Sequence, residues 1–264
     1  MYQTQEQSLM LRSGHFIVKL AEQYRELQDA LRLRFDVFNK ELNEGLDSSY
    51  VTGMDRDMYD DYCDHLIVID SRHNRVVGTY RLLLSFVAEH NIGYYSEGEF
   101  DMSAIRKLRG RKLELGRSCV HKDYRTANVI SLLWAGIARY TEMHGVSHLF
   151  GCGSLHTQDP LEVSMTYSYM NLYHRADAEY TVNPLRKLDG LRLLPLIDQK
   201  TAFEKLPPLM KGYLRLGALI CGEPAYDDVF GTVDLFLLLK TERLLSRYKR
   251  HYFQESDGAL CPAC

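Results

Sequence analysis

The stretch KLELGRSCVHKDYRTANVISLLW, residues 112–134, combines two secondary-structure patterns. Its first half reads as a strand, although Glu114 and Arg117 stand in the middle of it. Its second half predicts a helix, which begins near Arg125 and Asn128, where many cofactor-binding loops have glycines. The stretch therefore predicts a strand-to-helix unit that carries an acid and a base, without a glycine-rich loop.

Side chains of a regular strand alternate between two faces, which would place Glu114 and Arg117 on opposite sides. A β-bulge at Gly116 would add one residue and bring both to the same side, and we predict one there. Such a bulge would also splay the strand from its neighbour and leave backbone N–H and C=O groups along an open edge. An extended ligand that carries amides, such as pantetheine, could pair with that edge.

The composition is that of an ordinary globular protein. Of 264 residues, 45% are apolar and 25% are charged, and the net charge of −3 gives no reason to expect a nucleic-acid partner. No apolar run approaches the ~20 residues of a membrane-spanning helix, and the first residues lack the pattern of a signal peptide. We therefore expect a cytoplasmic protein.

The six cysteines are scattered along the chain. Cys119, Cys152 and Cys221 stand in apolar, strand-like segments, which predicts reduced core residues. The C-terminal CPAC, residues 261–264, has CxxC spacing but no second ligand pair nearby. We therefore expect no metal site.

Upstream of the opening stretch, residues 21–42 have apolar positions three and four apart, which predicts an amphipathic helix with Arg34 beside its buried stripe. Residues 43–64 form a long acidic segment, which is typical of a functional or disordered loop. Two strands joined by the turn-forming run SRHNR follow it.

Downstream, helical and strand patterns continue to alternate, and no repeat or linker is visible. This interleaving predicts one α/β domain over residues 1–254 with one central sheet, followed by a flexible tail over 255–264. The further predicted elements are helices at 129–140 and 160–175, strands at 147–155 and 232–240, and a basic helix near the C-terminus.

Six blocks in order along residues 30–250 resemble the ornithine N-acyltransferase (ornithine-lipid synthase, hemolysin-like) family of the Gcn5-related N-acetyltransferase superfamily. They are VGTYRLL, GYYSEGEFD, LELGRSCVHKDYR, LLWAGIARY, LFGCGSL and GYLRLGALICGEPAYDDVFGTVDLF. Further residues resemble motifs of a related family, the acyl-homoserine lactone synthases. Arg34 and Phe38 resemble the Arg-x-x-x-Phe motif of these synthases, and Asp57 and Asp60 resemble their Asp-x-x-Asp motif. Arg81 resembles their arginine in the second hairpin strand, and ELGR resembles their Glu-x-x-Arg motif.

The resemblance implies a central mixed, twisted sheet flanked by helices on both faces, with splayed central strands. It implies an enzyme that moves a fatty acyl group, 3-hydroxyacyl in the favoured form, from acyl carrier protein to the α-amine of ornithine, giving lyso-ornithine lipid. No permanently bound cofactor is implied, because the donor is the carrier's acyl-phosphopantetheine thioester. Three alternatives stay open: glycine or another amino acid as acceptor, a diffusible acyl signal as product, and a non-catalytic protein that binds lipid or the carrier.

The superfamily holds the coenzyme A pyrophosphate at a glycine-containing helix start, whereas RTANVI, residues 125–130, has Asn128 and Ile130 at the glycine positions. A carrier-protein arm has one phosphate, which a looser helix start can bind; a tolerated glycine substitution is the alternative. On this resemblance the candidate acyl- and pantetheine-binding residues are Ser118, Cys119, Val120, Arg125, Ala127, Asn128, Ser154 and Tyr169. Tyr169 could equally be an ordinary core residue.

Because acyl carrier proteins are acidic, their docking face should be basic. The run RKLRGRK, residues 106–112, directly precedes the strand of the opening stretch. An ordinary solvated charge run is the alternative interpretation. The final basic helix could instead contact the anionic inner membrane peripherally. The candidate docking residues are Arg106, Lys107, Arg109, Arg111 and Lys122.

Amide formation requires a group that removes a proton from the attacking amine, and Glu114 is the candidate general base. Its alternative role is a structural salt bridge with Arg117 or Arg81. Those two arginines, predicted to be catalytic, could orient Glu114 or bind the carboxylate of the amino acid.

Ornithine carries a second amine, which the acidic loop MDRDMYDD could bind. Asp57 and Asp60 are the candidates, together with Arg34 and Phe38 as substrate-binding residues. An acidic surface loop without a ligand is the alternative.

Overall fold

The computed structural model describes residues 9–125, 127–195, 199–242 and 244–245. The chain divides into two compact units. Among the described residues, the first comprises 9–82, 117–125, 127–145 and 244–245, and the second comprises 83–116, 146–195 and 199–242. The predicted C-terminal tail and most of the final basic helix lie outside the described residues.

The strands and helices alternate along the chain, which confirms the α/β class. The strands are β1 (Met10–Ser13), β2 (Phe16–Leu20), β3 (Asp64–Asp70), β4 (Arg75–Leu84), β5 (Phe100–Asp101), β6 (Arg111–Val120), β7 (Val146–Leu155), β8 (Asn183–Pro184), β9 (Leu219–Ile220), β10 (Ala225–Asp227) and β11 (Thr232–Lys240). The helices are α1 (Tyr24–Phe35), α2 (Ser49–Thr52), α3 (Ser85–His90), α4 (Ser103–Arg106), α5 (Ala127–His144), α6 (Pro160–Tyr173), α7 (Gln199–Lys205) and α8 (Pro208–Leu216).

In the first unit, strands β1 to β4 pair antiparallel in chain order. Strand β1 was missing from the sequence prediction, because its four residues are exposed or half-buried and lack a clear apolar alternation. Helix α5 packs against this sheet so closely that a Cβ at Gly136 would lie 2.9 Å from methyl groups of Leu66 and Val18. The short distance explains a glycine inside a helix, where it otherwise costs stability.

Helix α1 begins at Tyr24, three residues after the start of the predicted helix, and the Glu26 carboxylate accepts a hydrogen bond from the Gln23 backbone N–H at 3.1 Å. This contact satisfies one of the N–H groups that a helix start leaves unpaired. The helix continues as a π-helical turn over Asp36–Glu41, which carries Phe38. Such widened turns occur frequently at functional sites.

In the second unit, β6 pairs parallel with β7, β7 pairs antiparallel with β11, and β11 pairs antiparallel with β10 and β9. The predicted mixed sheet is therefore confirmed here. Pairing of β6 with β7 begins at Arg111 and ends at the Glu114–Phe150 pair, although both strands continue. The apolar face of the unit is buried against helices α6 and α8, in a cluster that includes Val163, Met210 and Leu235.

Gly151 lies next to the end of this parallel pairing, and a Cβ there would lie 2.3 Å from the Leu115 carbonyl oxygen. Gly151→Ala is therefore expected to destabilise the protein by about 1–3 kcal/mol, because a backbone atom has to move. Gly212→Ala is the matched control: Gly212 is in α8, with open space where the Cβ would be, and alanine should stabilise the helix by roughly 0.5–1 kcal/mol. Urea unfolding of both variants measures the difference; equal stabilities would contradict the close approach.

Candidate active site

Arg34 is the first component of a buried ion-pair network in the first unit. It lies near the end of α1 and is only 1% exposed. Its Nη1 donates to Asp60 Oδ1 at 2.6 Å, and its Nη2 donates to Asp55 Oδ1 at 2.7 Å and to Asp60 Oδ2 at 3.1 Å. An arginine stays charged inside a protein, so burial requires such paired carboxylates.

Arg81 on β4 extends the network. Its Nη1 donates to both carboxylate oxygens of Asp57 at 2.6 Å and to Asp60 Oδ1 at 3.3 Å. Its guanidinium carbon lies 5.5 Å from the centre of the Tyr59 ring. The loop is also held internally, because the Asp57 N–H donates to Asp60 Oδ2 and the Tyr59 N–H donates to Asp57 Oδ1, both at 2.8 Å.

Arg117 reaches the same group of aspartates. Its Nη2 lies 3.0 Å from Asp55 Oδ2, and its guanidinium carbon lies 4.9 Å from the centre of the Phe38 ring. Its backbone has φ = 49°, the left-handed region that is uncommon for a residue other than glycine. Arg117 directly follows Gly116, where the sequence predicts a β-bulge; the register shift between β6 and β7 lies earlier, between Arg111 and Lys112, so the bulge at Gly116 stays a prediction.

The three arginines and three aspartates of this network balance in charge, three positive against three negative. Burial opposes ionisation of Asp60, but the Arg34 and Arg81 guanidinium groups hold its pKa at about 2. Burial lowers the pKa of the neighbouring His65, whose Nε2 lies 3.2 Å from the Asp60 carbonyl oxygen. The network therefore consists of ionised pairs beside a histidine that favours its neutral form.

Six of the predicted site residues thus come together in one network: Arg34, Phe38, Asp57, Asp60, Arg81 and Arg117. The contacts differ from the prediction, because Asp57 and Asp60 hold protein arginines here. The Asp60 side chain is only 1% exposed, whereas that of Asp57 is 15% exposed. Of the two, Asp57 is the better placed to meet a ligand from solvent.

Glu114, in the second unit, is held by three donors from the segment that precedes β5. Its Oε2 accepts from the Tyr95 N–H at 2.8 Å, and its Oε1 accepts from the Ser96 N–H at 2.8 Å and from the Ser96 hydroxyl at 2.6 Å. We call this arrangement the Glu114 cradle. An ionised carboxylate is an acceptor only, so the cradle suits the form of the side chain that a base requires.

The sequence prediction assigned no role to Tyr95 or Ser96. Both lie in the GYYSEGEFD block. The available signal was indirect: a carboxylate buried in a strand needs donors, and a turn rich in small and polar residues can supply backbone N–H groups.

The residues predicted to bind pantetheine and the acyl chain fall in both units. In the first, Cys119 is buried, Ser118 and Val120 are half-buried, and Asn128 is exposed in the first turn of α5, which begins at Ala127. Arg125 donates from Nε to the Val120 carbonyl at 3.2 Å and forms an ion pair with Glu41.

In the second unit, Ser154 is half-buried on β7, and Tyr169 on α6 is also half-buried. The Tyr169 ring centre lies 5.0 to 5.9 Å from the ring centres of Tyr173, His174 and Phe203. Tyr169 and Phe203 of this cluster pack against the apolar core between α6 and α8. Its composition suits both a core and the wall of an acyl site.

Of the five predicted docking residues, Arg106, Lys107, Arg109 and Arg111 lie in the second unit and are exposed, and Lys122 lies in the first and is exposed. Arg106 is held by an ion pair with Glu97. Lys112, the last residue of the basic run, is buried and lies 3.4 Å from Glu89. The solvent-accessible charge of the run therefore comes from its first six residues.

Among the described residues, one group offers three potential metal-ligand atoms within 4.8 Å of one another: Glu99, Cys152 and Asp234. Burial and the neighbouring Asp234 raise the pKa of Glu99 to about 10. Burial also raises the pKa of the Cys152 thiol well above its usual range. Both groups would have to release their protons to bind a metal ion.

No helix within the described part of the chain is both long and apolar enough to span a bilayer.

Comparison with known proteins finds one matching family model and relatives that share one name. The family model described as an acetyltransferase (GNAT) domain matches residues 33–135. An L-ornithine N(alpha)-acyltransferase from Brucella abortus (strain 2308) is 38% identical over 257 residues, which cover 93% of this chain and 92% of the relative. A protein of the same name from Rhizobium meliloti (strain 1021) is 35% identical over 252 residues, covering 91% of this chain and 85% of the relative.

Solved structures share the fold at low sequence identity. FeeM, an N-acyl amino acid synthase from uncultured soil microbes, superposes with a TM-score of 0.52 at 9% identity, covering 89% of this chain and 93% of that one. The acyl-homoserine lactone synthase LasI gives 0.51 at 15% identity, with coverages of 86% and 91%. The CoA-dependent acyl-homoserine lactone synthase BjaI gives 0.51 at 15% identity, with coverages of 91% and 89%.

Proposed function

The chain belongs to the L-ornithine N(alpha)-acyltransferase family, and on that premise we propose that it transfers a fatty acyl group to the α-amine of ornithine. The observation that carries the proposal is the 38% identity to a curated relative over nearly the full length of both chains. The product of this reaction is an acyl-ornithine, the lyso form of an ornithine lipid. We propose a single acyltransferase domain over residues 1–254 for this activity.

In the proposed reaction the α-amine nitrogen attacks the thioester carbonyl carbon, the C–S bond breaks, and an amide forms. Glu114 takes the proton that the amine loses, directly or through a water molecule, and the departing thiolate ends as a thiol. General-base catalysis of this kind contributes about 10²–10⁴ in rate. The Glu114 cradle supports this assignment because it fixes the carboxylate with backbone groups of a turn.

For the acceptor, we propose that the Asp57–Arg81 pair exchanges partners when ornithine binds. The Arg81 guanidinium would then pair with the α-carboxylate of ornithine, and the Asp57 carboxylate would pair with its side-chain ammonium. The greater exposure of Asp57 supports this role. Arg34, Asp55 and Asp60 form the buried framework that holds the loop, and Arg117 is held to it through Asp55.

A panel experiment tests the acceptor. The purified protein is incubated with a 3-hydroxyacyl carrier protein and ornithine, lysine, glycine and homoserine lactone in parallel, and products are read by mass spectrometry. An adduct with ornithine that exceeds those with glycine and homoserine lactone by at least about 10-fold is expected, because these two acceptors lack the side-chain ammonium and leave the Asp57 charge unpaired, at a cost of at least about 1.4 kcal/mol. Equal adducts with glycine would remove the proposed role of Asp57.

For the donor, we propose an acyl carrier protein that docks on the exposed basic residues 106–111. The helix start at Asn128, which lacks the superfamily glycines, supports a donor with one phosphate rather than a pyrophosphate. BjaI, which shares the fold, is CoA-dependent, so the fold by itself does not exclude a coenzyme A donor.

The double variant Lys107→Glu/Arg109→Glu is expected to raise the KM for the acyl carrier protein about 10-fold at low salt, because charge complementarity steers such encounters. The KM for ornithine should stay unchanged, and the difference should shrink as salt increases. Lys200→Glu/Lys205→Glu, at two exposed positions of α7, is the charge-matched control. Unchanged kinetics in the double variant would place the docking face elsewhere.

A further inference from the structure

A buried pair of acids lies beside the Glu114 cradle and has no role in the proposed reaction so far. Asp234 on β11 is 3% exposed, and its register partner on β7 is Ser154. Cys152, two residues earlier on β7, projects from the same face of the sheet, because side chains alternate along a strand. Carboxylate oxygens of Glu99 and Asp234 and the Cys152 sulfur lie within 4.8 Å of one another, and both Glu99 oxygens are buried.

Two carboxylates this close in a buried place cannot both be ionised without strong repulsion. Of the groups that face Glu99, Asp234 on β11 and Asp227 on β10 are acids whose charges increase this effect, whereas the hydrogen bond from the Cys152 thiol on β7 acts in the opposite direction and lowers the pKa of Glu99. Burial, followed by the Asp234 charge, raises the pKa of Glu99 to about 10, and burial and the Asp227 charge raise the pKa of Asp234. Asp234 also accepts a hydrogen bond from the Thr232 hydroxyl at 3.2 Å.

Glu99 of the acid pair and the neighbouring Cys152 each contact the Glu114 cradle. Glu99 closes the turn that carries the cradle, since its N–H donates to the Ser96 carbonyl at 3.2 Å. Cys152 donates from its sulfur to the Ser96 hydroxyl oxygen at 3.3 Å, and that hydroxyl donates to Glu114. The position of Ser96, and with it the orientation of Glu114, therefore depends on what holds Glu99 and Cys152 in place.

We propose that Glu99 and Asp234 share one proton and that this O–H···O contact anchors the 95–99 turn, which makes both acids positioning residues for Glu114. The inference rests on the proposed function only in that Glu114 is the base. The shared proton ties the turn to β11, and Cys152 adds a second link from β7. Loss of the contact would let the turn move away from β6 and release the Tyr95 and Ser96 donors.

A shared proton makes the free energy of unfolding depend on pH. An acid whose pKa is raised on folding contributes stability that is fully present below its unfolded value, here 4.5, and is lost as the pH rises through the folded value of about 10. Over this window the folded wild type binds more protons than the unfolded chain. Glu99→Gln removes the proton but keeps an N–H donor for Asp234, so the variant should lack this pH dependence.

The first measurement is the free energy of unfolding in urea between about pH 6 and about pH 9, compared for wild type, Glu99→Gln and the control Glu162→Gln. Glu162 is exposed in the first turn of α6 and provides the same chemical change at the surface. Glu99→Gln should gain stability relative to wild type as the pH rises, and the control should follow wild type. Parallel curves for all three would overturn the shared proton.

The second measurement is hydrogen exchange at the Tyr95 and Ser96 amides, which needs no activity. Glu99→Ala should exchange these two amides at least about 10-fold faster than wild type at the same pH, because the turn opens locally. Glu99→Gln should restore protection. Unchanged exchange in a folded Glu99→Ala variant would overturn the positioning role, whereas inactivity of the wild type would count only against the proposed acyl transfer.

A kinetic measurement then relates the stability and hydrogen-exchange results to catalysis. With the acyl transfer assay in place, Glu99→Ala should lower kcat about 10-fold with little change in the KM for ornithine, and Glu99→Gln should stay within about 3-fold of wild type. A loss of equal size in both variants would contradict positioning through a hydrogen bond.

Discussion

Glu114→Gln is expected to lower kcat for acyl transfer by a factor of about 10²–10⁴, because glutamine cannot accept the proton of the attacking amine. The KM for ornithine should change little, since Glu114 acts on the transition state rather than on the binding of the amino acid. Steady-state kinetics at saturating acyl carrier protein measures both quantities.

The same substitution should cost stability, and the cradle explains why. One carboxylate oxygen becomes an amide NH₂ group, which cannot accept from a backbone N–H. With the remaining oxygen facing Ser96, the Tyr95 N–H loses its acceptor. A buried donor left without a partner costs about 1–3 kcal/mol.

Ser96→Ala is the control that separates the two effects. It removes the hydroxyl bond to Glu114 and leaves both backbone bonds and the carboxylate in place. A loss of stability of about 1 kcal/mol with a kcat reduction well below that of Glu114→Gln is expected. If Glu114→Gln proves folded and fully active, Glu114 is not the base.

Arg34→Met is expected to destabilise the protein by about 3–5 kcal/mol, the largest effect that we anticipate from one substitution. Methionine removes the guanidinium that pairs with both Asp55 and Asp60, so that Arg81 and Arg117 remain to neutralise the three aspartates of the network. Thermal or urea unfolding at neutral pH measures this loss. Activity should fall with it, because the loop that carries Asp57 loses its anchor.

Arg32→Met on the same helix is the matched control. The Arg32 side chain is 54% exposed and pairs with Asp29 at the surface, where such a pair contributes about 0–1 kcal/mol. The two variants thus compare the same chemical change at a buried and an exposed position. Equal stabilities would contradict a structural role of the buried network.

The pH dependence provides a second check on Arg34. The pKa of Asp60 is lowered from 3.8 to about 2, so its ion pairs contribute stability that is present above the unfolded value and is lost as the pH falls through about 2. The gap in stability between wild type and Arg34→Met should therefore be widest above about pH 4 and narrow toward about pH 2.

The resemblance to the acyl-homoserine lactone synthases predicted the residues of the network better than it predicted their contacts. The spacing of apolar residues in 21–42 places Arg34 on the buried side of a helix, and a buried arginine needs carboxylates. The acidic loop supplies them, but nothing in the spacing distinguishes an aspartate that binds an arginine of the protein from one that binds a ligand. That distinction depends on which side chains meet in the folded chain. Arg117 and Asp55 are one such pair, because they are far apart in sequence and in contact in the structure.

The acid pair shows a different limit of sequence reasoning. Glu99, Cys152 and Asp234 come from three separate segments, and each stands in a pattern with an ordinary interpretation. Their juxtaposition follows from the pairing of β7 with β11 and from the path of the chain before β5. Local patterns predict the strands themselves, whereas the register between them sets the distance between these acids.

The most direct measurement is the structure of the product made by the wild-type protein from 3-hydroxyacyl carrier protein and ornithine. Tandem mass spectrometry distinguishes an amide on the α-nitrogen from one on the side-chain nitrogen. The proposed function predicts the α-amide with a free side-chain amine, formed by wild type and strongly reduced in Glu114→Gln. A side-chain amide, or no adduct from folded protein with either the carrier or the coenzyme A thioester, would contradict it.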